Sequence, residues 1–244
     1  KLILKGAFSP RFFTATWEVI RESLLHHRIF KVNPLLGYMH MSLAFGWFLL
    51  ISVGWIETIA YLGFKMIPLH GHVFFKYFAP LNGIDTHIHL FDHLMDALLL
   101  FVLIGVALAW FKRFRSRALG LKRTTKHVLF DRIALSALWF VFPARLIAES
   151  LTASVYGGGG FLTGTIGHWL TTHIPADILF TIYEPSWWFY STVLGVFFVA
   201  LPFSRYMHIF TEIPLIYLRR WSLRPAKEHR SYDNFEVHAC SRCG

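Results

Sequence analysis

Charged residues are scarce in this sequence. Lysine, arginine, aspartate and glutamate make up 16% of the 244 residues, whereas 55% are hydrophobic and 18% are aromatic. A soluble domain of this composition would leave large apolar surfaces in contact with water. The composition therefore argues against a soluble protein and for a chain whose solvent is a lipid bilayer.

Cysteine is also rare. Both cysteines, Cys240 and Cys243, form a CxxC pair at the end of the chain, so none remains for the apolar segments. Standing alone, such a pair is typical of a redox disulfide or of half a zinc site. Because the sequence stops inside an unfinished cysteine motif and starts at Lys1, we expect a piece of a longer protein.

The apolar residues are gathered into long blocks, which predict membrane-spanning helices and not barrel strands. No charged residue occurs from Val32 to Ile56. At the α-helical rise this block is roughly 37 Å long, enough to cross a hydrocarbon core of about 30 Å. We predict an all-α membrane bundle of about four transmembrane helices within residues 32–220, at about 35–63, 93–111, 128–151 and 186–218. Asp96 is expected in the first turn of the second span, where the helix dipole tolerates an acid.

Both ends of the chain are more polar than the blocks. Residues 1–31 are predicted to form a cytoplasmic amphipathic segment, a helix from Ser9 to Phe30 with Ser9 as N-cap and Pro10 at its first position. We expect this helix to act as an anchor on the membrane interface. Residues 221–244 read as a polar linker into a further domain.

Lysine and arginine are distributed asymmetrically between the connections. The connection from Lys112 to Lys126 has seven, while that from Thr152 to Pro185 has none. The positive-inside rule then places the basic connections in the cytoplasm, as for a multi-pass protein of an inner (cytoplasmic) membrane. The formal charge of +10 is explained by this topology and by contact with anionic membrane lipid. No nucleic-acid-binding motif accompanies it.

The 14 histidines are the unusual feature of the sequence. His40 and His208 are expected at similar depth near the cytoplasmic face on two different helices. Neutral imidazoles bind haem iron on its two axial faces, so a haem could bridge them. The alternatives are hydrogen bonding to backbone carbonyls, contact with lipid headgroups, or a role for His127, and spacing alone does not choose among them.

Ionisable residues inside predicted spans also point to function, because the bilayer makes them costly. Arg145 and Glu149 are four positions apart and are expected to form an ion pair on one helix face. Together with Glu57 in the outer half, they could instead line a quinone pocket in which a carboxylate accepts a proton. A quinone site near His40, Trp47 or His208 is equally compatible with the sequence.

The last apolar block ends in the stretch LPFSRYMHIFTEIPLIYLRR, from Leu201 to Arg220. It resembles the final helix of the respiratory nitrate reductase gamma subunit family, whose relatives serve heterodisulfide reductases and sulfite-reduction complexes. In that family the histidine of a P-[FY]-S-[KR]-x-x-H segment binds haem b, and the matching residue is His208. The stretch LLGYMHMSLAFGWFLL likewise resembles the family's helix that supplies the partner, which implies His40.

The sequence also departs from that family. Leu50 and Tyr190 occupy the positions where the nitrate reductase subunits carry the ligands of a second haem. One haem b is therefore expected. Histidines of the outer connections could replace the missing ligands or bind a transition metal, although histidines beside a membrane are more often interfacial polar residues and His93 could cap its own helix. These outer residues are His70, His72, His87, His89, Asp92, His93, His168 and His173.

After a cytochrome-like domain, Cys240 and Cys243 resemble the opening of the ferredoxin-type C-x₂-C-x₂-C-x₃-C-P run that binds a [4Fe-4S] cluster. The whole pattern looks like a membrane cytochrome b fused to a heterodisulfide reductase-type iron-sulfur protein. The resemblance implies a quinone-linked oxidoreductase that exchanges electrons between menaquinone or ubiquinone and a cytoplasmic iron-sulfur centre. Its partner would be electron-transferring flavoprotein or a larger oxidoreductase complex. The alternatives are a membrane anchor without a cofactor and a metal transporter that uses the outer histidines.

Overall fold

The computed structural model describes residues 2–62, 89–120 and 128–221, and within them the only regular structure is helical. The helices of this part of the chain are α1 (Leu2–Ala7), α2 (Arg11–Glu18), α3 (His27–Val32), α4 (Pro34–Leu62), α5 (His89–Ala118), α6 (Leu129–Tyr156), α7 (Thr163–His173), α8 (Ala176–Ala200) and α9 (His208–Arg220). A π-helical turn extends α2, and two 3₁₀ turns join α8 to α9. The protein is an all-α bundle.

Four helices are long and apolar enough to cross a membrane, which confirms a multi-pass membrane protein. The spanning parts are Pro34–Glu57, Leu90–Ser116, Leu129–Tyr156 and Ala176–Phe203. Their outward faces carry large apolar side chains suited to lipid contact, such as Phe48 and Val199. The first three spans lie where the sequence predicts them.

The fourth span differs from the predicted residues 186–218, because it begins at residue 176 and ends at residue 203. Pro185 lies inside α8, and proline is tolerated in transmembrane helices because surrounding groups satisfy the freed backbone carbonyl. The polar residues before Pro185 therefore belong to the span although they resemble a connection. Beyond Phe203 the chain turns, so α9 is a separate helix.

Neighbouring long helices run antiparallel. Between α4 and α5, Ser42 lies against Gly105 and Gly46 lies against Val102, so residue numbers rise along α4 where they fall along α5. Between α6 and α8, the Trp187 indole donates to the Thr152 hydroxyl at 2.9 Å, and Arg205, just after α8, pairs with Asp131 at the start of α6. The start of α4, the end of α5, the start of α6 and the end of α8 consequently lie together. We call this the basic end, because Lys112, Arg132 and Arg205 lie there, and the opposite end the far end.

A buried aspartate attaches a short helix to one of the long helices. Asp96 lies two turns inside α5, not in its first turn as predicted, and it is 1% exposed. Its carboxylate accepts hydrogen bonds from the Leu162 and Thr163 amides at 2.6 and 2.9 Å and from the Thr163 hydroxyl at 2.8 Å. Asp96 thus caps the start of α7. Because α7 is distant from Asp96 in sequence, the local periodicity around Asp96 does not indicate this contact.

The N-terminal segment is a broken helix and not the single helix predicted from Ser9 to Phe30. The Ser9 hydroxyl donates to the Gly6 carbonyl at 2.8 Å and does not cap α2. The helix ends near Leu25, because His26 adopts a left-handed conformation with φ of 50°, which is uncommon for a residue other than glycine. α3 then leads into α4.

This segment packs onto α9 at the basic end. The Thr16 hydroxyl lies 2.8 Å from the Tyr217 hydroxyl, and the Phe12 and Tyr217 rings are 5.6 Å apart. Glu18 forms an ion pair with Arg220. The two amphipathic elements therefore cover the same end of the bundle together.

Close packing of α4 on α5 depends on Gly105. A Cβ atom there would lie 1.7 Å from the Ser42 hydroxyl oxygen, whereas a Cβ at Gly195 of α8 would meet nothing within 4 Å. We expect Gly105→Ala to destabilise the bundle by about 1–3 kcal/mol because buried atoms must move apart. Thermal unfolding of the purified protein, followed by tryptophan fluorescence, measures this loss.

Gly195→Ala is the matched control, and it should be neutral or stabilising because alanine favours helix more than glycine by about 1 kcal/mol. Equal melting temperatures for the two variants would contradict the close approach of α4 and α5.

Candidate functional site

A cavity of about 430 Å³ opens at the basic end and contains three histidines. We call it the histidine cavity. Its histidines are His26, His40 and His208, which come from the N-terminal segment, from α4 and from α9. The remaining wall is mainly apolar and aromatic, and it includes Trp47, Phe48, Phe197, Phe198, Tyr206 and Phe210.

His208 is positioned by a contact between the start of α6 and the turn after α8. One oxygen of the Asp131 carboxylate accepts a hydrogen bond from the Arg205 amide at 2.8 Å, and the other accepts from two nitrogens of the Arg205 guanidinium, each at 3.1 Å. These charge-assisted hydrogen bonds hold the turn from which α9 starts. His208 is the first residue of α9, so its imidazole faces the cavity from the bundle end.

His40 reaches the same cavity from the second turn of α4. The two histidines that the sequence predicts as a pair are thus brought together although 168 positions separate them (208 − 40). Trp47 lies two turns further along α4 in the same wall, with its ring 5.0 Å from that of Phe197 and 5.9 Å from that of Phe142.

His26 is a member of the site that the sequence analysis did not identify. Its ring stacks on that of His40, with centroids 5.6 Å apart and planes inclined by 26°. The left-handed backbone at this residue ends the preceding helix and lets the side chain lie beside α4. No signal in the sequence marks the break in the helix at His26, so the direction of the His26 side chain could not be predicted. The adjacent histidines His26 and His27 were the only visible indication.

The ring nitrogens of two histidines are oriented by backbone carbonyls. His208 Nδ1 lies 2.6 Å from the Arg205 carbonyl, and His26 Nδ1 lies 3.1 Å from the Leu24 carbonyl. A neutral imidazole that donates from Nδ1 to a carbonyl has its free lone pair on Nε2. This is the arrangement by which proteins orient histidines that bind metals.

Burial favours the uncharged form of the His26 and His208 imidazoles. It lowers the pKa of the His26 imidazole and, separately, that of the His208 imidazole below the ordinary value of 6.5. Neutral imidazole is the form that binds a metal, because the charged form has no free lone pair. Glu212 lies one turn after His208, and burial raises the pKa of its carboxyl, which keeps that group closer to neutrality as well.

The cavity is compatible with a planar, iron-containing macrocycle such as haem b. Its volume lies within the range of about 300–1,000 Å³ that cofactor sites occupy. The donors are imidazoles, which commonly bind haem iron, and the wall supplies the aromatic and aliphatic side chains that a macrocycle needs for burial. The residues present therefore fit the group that the sequence predicts here.

The residues predicted to bind quinone do not form one site. Trp47 belongs to the histidine cavity, while Arg145, Glu149 and Glu57 lie toward the far end. By helical rise, Glu57 is about 26 Å from His40 along α4. The predicted ion pair is confirmed, since Arg145 Nε and Glu149 Oε1 are 2.6 Å apart and both side chains are buried. The Glu57 side chain is 2% exposed, and its carboxylate interacts electrostatically with both residues of that pair.

His93 and His173, at the far end, each have a ring nitrogen at hydrogen-bond distance from a backbone group. His93 Nδ1 accepts a hydrogen bond from the Phe161 amide at 3.1 Å, so it bridges from α5 to the connection between α6 and α7 and does not cap α5. His173 Nδ1 lies 2.8 Å from the Trp169 carbonyl within α7. Within residues 2–62, 89–120 and 128–221, no group of three histidine, cysteine or acidic side chains is arranged to hold a metal ion.

Several residues that the sequence analysis proposes as ligands lie outside the described residues. They are His70, His72, His87, His127, Cys240, Cys243 and the side chain of His89.

No family model, no curated protein and no solved structure matches this chain. The resemblance to the nitrate reductase gamma subunit family therefore stays a prediction based on the segments around His40 and His208.

The Arg145–Glu149 pair gives a test of burial within the bundle. Arg145→Leu leaves the Glu149 carboxylate without its partner in a low-dielectric interior, and we expect a loss of about 3–5 kcal/mol in the free energy of unfolding. Replacing both residues by leucine removes the two charges together and should restore much of the melting temperature. A double variant as unstable as Arg145→Leu alone would contradict a paired, buried role.

Proposed function

We propose that this chain is the membrane cytochrome b part of a quinone-linked oxidoreductase, with one haem b held in the histidine cavity. The observation that carries the proposal is the convergence of His40 and His208 on one aromatic cavity. These residues belong to the two segments that resemble the haem-binding helices of the nitrate reductase gamma subunit family. Convergence of the same two residues is not expected from membrane anchoring alone.

In this proposal His40 of α4 and His208 of α9 hold the iron through their imidazole nitrogens. A bound haem b supplies a one-electron carrier inside a membrane protein whose own side chains have none. The aromatic and aliphatic wall excludes water and thereby tunes the reduction potential. Asp131 and Arg205 act as positioning residues, because they orient the turn that presents His208.

The direction of the helices supports a cytoplasmic location for this site. The basic end carries Lys112, Arg113, Arg115 and Arg132, and such residues are retained in the cytoplasm. α9 finishes at the same end with Arg219 and Arg220, and the chain then continues toward Cys240 and Cys243. A [4Fe-4S] centre opened by these cysteines would lie on the side of the histidine cavity.

The substrate of the proposed activity is menaquinone or ubiquinone. Oxidation of one quinol to quinone releases two electrons and two protons, so a one-electron carrier must turn over twice for each molecule. The electrons would pass between the quinone pool and the cytoplasmic iron-sulfur centre. Electron-transferring flavoprotein, or a larger oxidoreductase complex, is the proposed partner in the cytoplasm.

The proposal is tested by measuring haem in the purified protein. We expect about one b-type haem per chain by reduced-minus-oxidised spectroscopy, and loss of that haem in His40→Ala and His208→Ala, since each removes one of the two imidazoles that would hold the iron. His173→Ala is the matched control, because His173 is an exposed helical histidine at the far end. It should retain the wild-type spectrum.

Wild-type protein without haem would overturn the cytochrome assignment and leave a membrane anchor for an iron-sulfur protein. Two haems per chain would contradict the single-haem proposal. The far-end histidines would then be candidate ligands of the second haem. Retention of haem in His40→Ala would exclude that residue as a ligand.

A further inference from the structure

Glu57, at the inner side of the far end, is buried with one carboxyl oxygen unsatisfied. The residue closes the first spanning segment and is 2% exposed. Its Oε2 atom is inaccessible to solvent and has no hydrogen-bond partner among the residues that the structure describes. Because nearly all buried polar groups in proteins are hydrogen-bonded, such an oxygen needs a physical explanation.

Three charged side chains on two other helices face Glu57. Its carboxyl group interacts electrostatically with Arg145 and Glu149 of α6 and with Asp92 of α5. We call these four residues the acidic cluster. Within the part of the chain that the structure describes, Arg145 is the cation that faces Glu57, and it already forms the 2.6 Å ion pair with Glu149. The cluster therefore has more carboxyl groups than positive charges.

This imbalance determines which form of Glu57 the bundle can hold. An ionised carboxylate in a low-dielectric interior is costly unless it is paired and hydrogen-bonded, and a buried group usually avoids that cost by taking up a proton. The Arg145 charge is balanced by Glu149, and Oε2 of Glu57 accepts no hydrogen bond. Charge balance thus favours a Glu57 that carries a proton.

Asp92 lies between Glu57 and the water at the far end. The antiparallel register that sets Ser42 against Gly105 and Gly46 against Val102 brings the end of the first span beside the first turn of α5. That turn contains Asp92. Asp92 is half-buried, and the next residue along the chain is exposed. A proton can consequently pass from water to Asp92 and from Asp92 toward Glu57.

We propose that Glu57 is a proton-binding site inside the membrane that exchanges its proton with the far-end water through Asp92. In the protonated state, Arg145 pairs with Glu149 alone. When Glu57 releases its proton, the Asp92 carboxylate accepts it and passes it to water, and Arg145 then balances both glutamates. Paired ionisable residues inside a helical bundle are the groups from which intramembrane proton relays are built. The site needs neither haem nor quinone, so it goes beyond the proposed function.

A metal cation is the other ligand that clustered carboxylates bind. In the described ranges of the chain, no three acidic or histidine side chains are arranged around one point. The Arg145 guanidinium also lies among the carboxyl groups and repels a second cation. A proton requires only one carboxyl oxygen, so the geometry of the acidic cluster favours a proton.

Infrared spectroscopy of the full chain in nanodiscs at neutral pH tests the site. A protonated carboxyl group has its own carbonyl stretching band, which shifts in heavy water. We expect a component of this band to disappear in Glu57→Gln, since glutamine keeps the shape of the protonated acid but has no carboxyl group. Asp177→Asn is the matched control, because Asp177 is an exposed carboxylate at the far end. It should keep the component.

The rate at which the Glu57 proton exchanges tests the path. After transfer into heavy water, the Glu57 component should shift about a hundredfold more slowly in Asp92→Asn than in the wild type, as for loss of a positioned proton-transfer group. Asp177→Asn should exchange at the wild-type rate. Equal exchange rates in Asp92→Asn and Asp177→Asn would overturn the path through Asp92.

A Glu57→Gln spectrum identical to that of the wild type would overturn the site itself. Isotopically labelled glutamate in the wild-type chain provides a check that needs no variant to fold, because a spectrum without a labelled component would equally overturn it. Replacing choline chloride by sodium chloride at constant pH should leave the component unchanged. Its loss in sodium chloride would overturn the site in favour of a bound cation.

The haem assignment and the proton site fail separately. His40→Ala is expected to lose haem and to keep the Glu57 component, because His40 lies at the basic end. Loss of the component in wild-type protein that contains haem counts against the proton site alone.

Discussion

The contact between Asp131 and Arg205 determines the arrangement of the basic end. Three hydrogen bonds join a carboxylate at the start of α6 to the turn that follows α8. They stop the fourth span and redirect the chain, so that α9 begins beside α4. A straight continuation of α8 would carry His208 away from His40, since each helical residue advances about 1.5 Å along the axis. The histidine cavity therefore depends on an ion pair outside its own wall.

The bundle separates its polar groups into two regions. The basic end holds three histidines in an aromatic wall, whereas the far half buries the Arg145–Glu149 pair with Glu57 nearby. Charges inside a bilayer need partners, and the ion pair supplies them within one helix. This separation places the proposed redox chemistry at the basic end.

Several features were predictable from local sequence. The spans of α4, α5 and α6 follow from long apolar blocks, and the Arg145–Glu149 contact follows from helical spacing. The fourth span was misplaced because Pro185 resembled the end of a connection although it lies inside α8. Asp96 was assigned to its own helix, whereas its hydrogen bonds go to Leu162 and Thr163. The error at Asp96 arises because a segment distant in sequence satisfies its carboxylate.

The sequence by itself determined that the protein lies in a membrane, that its fold is all-α and which residues are candidate ligands. These properties depend on composition and on spacing along one helix. Only the tertiary structure decided which of those residues meet. His26 enters the histidine cavity through a backbone break, and His208 reaches the same cavity from a turn that Asp131 holds. Such contacts join residues far apart in sequence, and helical periodicity carries no information about them.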